Sequence, residues 1–176
     1  MTSPVRRRPG RGVLAASHVS GLSLGFHRHD ALLRFVGIAE GFAVNRFLEV
    51  SDVVVSDDTI LQHLWQRELK TALDTWERRD KSWKRYFAVD VETYGDHARL
   101  RGYVEARNAI VHGLGELSRK QRANPADAVA KLRKAGITVV NNRVVIEAAH
   151  VDDCARTVIA FVRWLDTRAE LVISKA

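Results

Sequence analysis

No proline stands between Pro9 and Pro125, and across that interval apolar residues return every three or four positions rather than every second one. That is the period of a helix, not of a strand. A proline-free stretch of this length confines the middle of the chain to helices, broken only where polar residues gather. Asp30 is placed to cap a first helix striped with Leu32, Phe35, Val36, Ala39, Phe42, Ala43, Phe47 and Val50, ending near Ser51-Asp52. Asp57 or Asp58 then opens a second helix that carries Leu61, Trp65, Leu69, Leu73, Trp76 and Trp83 as far as Phe87, with the tryptophans in the core. After Tyr94-Gly95-Asp96, a third helix begins near His97 and reaches at least His112.

Beyond it, Asn124-Pro125 sets a capping side chain before a proline at the first helical position, so a short helix covers about 126–134 and stops at Gly136. The β-branched runs Ile137–Val140 and Arg143–Ile146 flank Asn141-Asn142, residues that tolerate the positive φ of a tight turn, and predict a hairpin over about 137–147. A closing helix over about 151–172 turns Val151, Cys154, Val158, Phe161, Leu165 and Ala169 inward. The expected fold class is mainly α: an antiparallel helical bundle with a small β-hairpin before the C-terminal helix. The 176 residues make one domain, 13–176. Residues 13–29, with Gly21 and Gly25, are ambiguous, and 1–12, with Arg6, Arg7, Arg8 and Arg11, are expected to be a disordered basic arm.

Those four arginines account for four of the seven net positive charges, leaving +3 for the rest of the chain, so basicity alone is no nucleic-acid footprint. A single cysteine, Cys154, excludes an internal disulfide, and no Cys/His spacing resembles a zinc site. His27-Arg28-His29-Asp30 lacks the supporting groups of a metal centre, so neither metal nor cofactor is expected. No apolar run suffices to cross a bilayer or to serve as a signal peptide, which predicts a cytoplasmic protein without membrane contact.

The third helix carries an anomaly. Leu100, Tyr103, Arg107, Ile110 and Leu114 form one stripe, and Val104, Asn108, Val111 and Gly115 the next, so a guanidinium and an amide interrupt adjacent apolar lines at one level. Desolvating an unpaired guanidinium costs several kcal/mol, so Arg107 needs a partner, for which Glu40 is the candidate, or a wet cleft. Asn108 and His112 stand four apart on one side, with Glu105 seven before the histidine. Arg107 and His112 are separated by about 7.5 Å along the axis, within reach of a long side chain. Gly113 and Gly115 are best explained by the close approach of a second subunit.

Arg107-Asn108-Ala109-Ile110-Val111-His112 resembles the Arg-Asn-x-x-x-His signature of the HEPN superfamily. More loosely, the helical body, hairpin and closing helix look like small stand-alone HEPN proteins of prokaryotic toxin and defence systems. The resemblance implies a HEPN-like bundle, a homodimer facing its motif helices together, RNA as substrate and metal-free cleavage. It also implies an antitoxin or regulatory partner. In one toxin branch a tyrosine two positions after the histidine is modified by the antitoxin; Leu114 stands there instead. In this chemistry His112 moves the proton of the ribose 2′-hydroxyl, Arg107 holds the phosphate and Asn108 orients its neighbours, with Glu40 and Glu105 supporting. Residues 99–122, including Arg101, carry six basic and two acidic residues, and 62–86 carry seven and four. Lys81, Lys84 and Arg85, interleaved with Trp83 and Tyr86, either contact RNA or form a solvated helix end above core tryptophans. Two other functions compete: an inactive HEPN module that binds RNA or nucleotide and regulates a partner, and an assembly subunit in which Arg107 merely pairs with Glu40.

Overall fold

The computed structural model describes residues 13–54 and 59–176. Seven helices follow one another: α1 (Val13–Val54), α2 (Thr59–Leu73), α3 (Trp76–Phe87), α4 (His97–Gly113), α5 (Arg119–Ala123), α6 (Pro125–Lys134) and α7 (Ala148–Ile173). A 3-10 turn, Val91–Thr93, precedes α4, and strands β1 (Thr138–Val140) and β2 (Arg143–Val145) form an antiparallel hairpin before α7. The architecture is the expected one, mainly helical with a hairpin ahead of the last helix. The basic arm and the Asp57 or Asp58 cap fall outside the described residues.

Two expected boundaries differ. Asp30 does not start a helix; α1 runs through it from Val13, and its carboxylate pairs with Arg34 one turn on at 2.9 Å. Interior glycines cost about 1 kcal/mol each, which does not end a helix whose later turns are held by packing. The single helix expected up to Phe87 is two, because the Thr75 hydroxyl accepts the Arg78 N–H at 3.2 Å and caps α3. The break was hidden because Leu73 and Trp76 are three apart, so the apolar stripe passes through it without a skip.

The core joins α1, α3, α4 and α7. Phe47 of α1 meets Trp83 edge-on at 5.2 Å and Phe87 at 4.8 Å. Trp76 and Trp83 are buried as expected, whereas Trp65 and Trp164 are half-buried. On α4, the buried Tyr103 hydroxyl donates to Asp153 at 2.6 Å, and just before the helix Tyr94 donates to the Thr157 carbonyl at 3.0 Å. These bonds set α4 antiparallel to α7. Burial and the Asp153 hydrogen bond push the Tyr103 phenol far above its usual range, so it stays a donor. At the hairpin, Asn141 and Asn142 take φ values of 49° and 63°, the left-handed turn expected of them.

One glycine decides how closely α4 and α6 pack. A Cβ on Gly102 would lie 2.7 Å from the Lys131 carbonyl oxygen and 2.8 Å from the Ala135 Cβ. Gly102→Ala is therefore expected to lower the stability by about 1–3 kcal/mol, read as a lower urea midpoint. Gly37→Ala, where a Cβ meets nothing within 4 Å, should leave or raise the midpoint.

Candidate active site

Glu40 of α1 lies opposite Arg107 of α4, and His29 of α1 lies beside Gly115 just past the end of α4, so the two helices run in opposite directions along the site. The Arg107 side chain is 34% exposed. Its Nη1 donates to Asn108 Oδ1 at 3.3 Å, and its Nη2 stands 3.9 Å from Glu40 Oε2. The expected pair with Glu40 is thus present, but the distance is too long for a hydrogen bond.

The closer partner of that carboxylate is a residue the sequence reading left among the solvated charges of 62–86. Arg79 of α3 is only 2% exposed, and its Nη2 donates to Glu40 Oε1 at 3.2 Å and to the Leu73 carbonyl at 3.1 Å. Its guanidinium lies 5.0 Å from the centroid of the Trp76 ring, while Nε and Nη1 are buried without a partner. A cation in this position relies on Glu40 for its charge compensation. Two guanidiniums therefore share one carboxylate, and the surplus positive charge resides on the more exposed one, Arg107. The signal was in the sequence: Arg79 is three after Trp76 and four before Trp83, inside the apolar stripe, the same interruption that singled out Arg107.

Asn108, expected to orient the histidine or the neighbouring backbone, has its amide oxygen taken by Arg107, which draws the guanidinium toward the column of the helix on which His112 stands. His112 is exposed in the last turn of α4 and, among the described residues, makes no hydrogen bond or ion pair. Glu105 turns elsewhere: its carboxylate and its carbonyl accept from Gln121 Nε2 at 2.8 and 2.9 Å, tying α5 to α4.

The glycines after His112 have a use within this chain. A Cβ on Gly113 would lie 3.0 Å from the Ser118 nitrogen, and Gly115 has φ of 89° with His29 next to it. They let residues 114–118 fold back, where the Leu117 N–H donates to the Asn142 carbonyl at 2.8 Å and the Val144 N–H to the Gly115 carbonyl at 2.9 Å. Between them Leu114 holds a left-handed φ of 53° with its side chain 89% exposed, and Val111 is exposed one turn before. The site therefore ends in an uncovered apolar edge. Burial, together with the field of Arg143, holds the His29 imidazole below its ordinary value of 6.5.

The other expected RNA contacts on α3 have partners of their own. Lys81 pairs with Glu77 at 2.8 Å and Lys84 with Asp90 at 2.6 Å, whereas Arg85 lies over the Tyr86 ring at 5.2 Å. Arg101 is half-buried, with Nη1 enclosed and unpartnered. Among the described residues no group of three or more His, Cys, Asp or Glu is arranged to hold a metal, and no helix is long and apolar enough to cross a membrane. Comparison of the chain with protein-family profiles, curated proteins and solved structures returned no match.

Glu40→Ala should cost about 3–5 kcal/mol by urea unfolding, because it strands the buried Arg79. Arg107→Ala should cost no more than about 1 kcal/mol, since it removes only a long, part-exposed contact. Equal losses would return Arg107 to a purely structural role. The folded-state pKa of His29 lies below its unfolded value, so the unfolded chain binds more protons as the solution is acidified. The contribution is complete above the unfolded pKa and is lost as the pH falls through the folded one; His29→Gln should flatten the stability slope between about pH 7 and pH 5.

Proposed function

We propose that the protein is a homodimeric endoribonuclease that cleaves RNA without a metal ion. What carries this reading is the Arg107 guanidinium. It is partly exposed, held by Asn108 and only distantly by Glu40, on the same helix as an exposed imidazole. Such a guanidinium is free to take two non-bridging oxygens of a phosphodiester. Imidazole is the side chain best suited to proton transfer near neutrality.

In the proposed reaction His112 removes the proton of the ribose 2′-hydroxyl, and the 2′-oxygen attacks phosphorus. The bond from phosphorus to the 5′-oxygen breaks as the second copy's imidazole protonates the leaving oxygen, giving 2′,3′-cyclic phosphate and 5′-hydroxyl ends. Arg107 stabilises the charge that builds on the phosphoryl oxygens. Two-fold pairing of the motif helices supplies the second imidazole, and the exposed Val111 and Leu114 beside His112 offer an apolar surface for it. The resemblance extends the reading to a cytoplasmic toxin or defence effector restrained by an antitoxin or another regulatory protein. A buried Cys154, its thiol pushed up to about 12 by burial, is in keeping with a reducing compartment.

Purified protein should cut RNA in excess chelator, and His112→Ala and Arg107→Ala should each slow cleavage by about 100-fold or more. Activity lost on chelation, or retained in His112→Ala, overturns the mechanism. One observation favours a second reading, a non-cleaving module that binds RNA and regulates a partner: among the described residues no hydrogen bond orients His112. RNA binding that weakens with salt but yields no product would select it.

A further inference from the structure

At the far end of α1 a cleft of about 690 Å³ opens between the C-terminal turns of α3 and α7. Val54 borders it, fourteen residues beyond Glu40, which is about 21 Å along a helix axis from the Arg107 site. Tyr86 and Trp164 line it, both half-buried, so each ring has packed and accessible surface. A guanidinium covers part of each ring, Arg85 at 5.2 Å from the Tyr86 centroid and Arg168 at 5.7 Å from that of Trp164. Lys175, two residues past the end of α7, also lines the cleft.

These cations are not used up inside the protein. Among the described residues Arg168 and Lys175 form no ion pair, and Arg85 has only the 3.8 Å contact with Glu68, whose carboxylate already accepts the Tyr86 hydroxyl at 2.7 Å. Asp90, the acidic side chain on the lining, is taken by Lys84. What remains is a concave surface with aromatic faces, planar guanidiniums and a surplus of basic over acidic side chains. Flat π-systems stack on rings and guanidiniums alike, and phosphate oxygens seek the adjoining Arg and Lys donors.

We infer that this cleft binds a nucleotide, its base stacked against the Trp164 and Tyr86 side and its phosphate held between Arg168 and Lys175. The nucleotide is either a unit of single-stranded RNA or a free mononucleotide, since both present the same base and phosphate. Binding here does not depend on cleavage by His112 and Arg107.

The test titrates the full chain with adenosine 5′-monophosphate, inorganic phosphate and a ten-nucleotide 2′-O-methyl oligouridylate that resists 2′-hydroxyl attack. Binding is followed by tryptophan fluorescence and by calorimetry. The Arg168→Ala/Lys175→Ala variant changes two exposed side chains, and circular dichroism checks its fold. It should bind the nucleotide probe at least about tenfold more weakly, and raised salt should weaken wild-type binding. Mononucleotide bound more tightly than phosphate, and lost in the variant, identifies a free-nucleotide site; oligonucleotide alone bound and lost identifies an RNA subsite. Wild-type protein that binds none of the probes, or a variant that binds them as tightly as wild type, overturns the inference. His112→Ala is expected to retain binding in the cleft, so failure of the cleavage reading is distinguishable from failure of this one.

Discussion

A guanidinium withdrawn from water with one carboxylate to face it sets the terms for the rest of this structure. Arg79 cannot swing out to solvent, because the Trp76 ring, the Leu73 carbonyl and the walls around Nε and Nη1 enclose it. Glu40 must therefore stay where it is, and α1, α3 and α4 meet at a fixed level. The consequence reaches the candidate site directly. A carboxylate committed to a buried cation through one oxygen is only half a counter-ion for the next, and Arg107 keeps most of its capacity to bind an external anion.

The same economy of contacts shapes the end of the motif helix. Glu105 anchors Gln121, Gly113 admits the backbone of Ser118, and the hairpin adds hydrogen bonds to residues 115 and 117, so the segment after His112 is tied down from several directions. A pinned segment leaves Leu114 projecting from a left-handed backbone position with almost no cover. For a bulky residue such a conformation is unfavourable and persists only where its surroundings impose it. A polar arginine–asparagine contact, an exposed imidazole and an apolar edge thus occupy neighbouring turns of one short helix.

Much of this was legible beforehand. The proline-free interval and the spacing of apolar residues specified a helical body. Asn141-Asn142 marked the hairpin turn, and the polar pair inside an apolar stripe marked the turn of α4 that meets α1. The misreadings have local causes. Asp30 carries a capping residue's chemistry, but an i, i+4 ion pair with Arg34 serves equally well inside a helix. Gly113 and Gly115 announced a close approach correctly, yet a glycine pattern carries no information about whose backbone approaches. Arg79 was counted among surface charges because a run of arginines and lysines looks solvated when summed; its position in the Trp76–Trp83 stripe told more than its neighbours' charge.

Sequence by itself determined which residues are anomalous, since a charged side chain within a helical apolar stripe must meet either a counter-charge or solvent whatever the fold. Only the tertiary structure decided which of the two each received. Arg79 and Arg107 are the same residue type in the same kind of stripe; one is sealed against Glu40 and the other left partly in water. The difference comes from the tertiary surroundings of each: Arg79 reaches Glu40 of α1 at 3.2 Å and is 2% exposed, whereas Arg107 stays 3.9 Å from the same carboxylate and is 34% exposed. That is a property of packing between segments distant in the chain, and no periodicity within either segment encodes it.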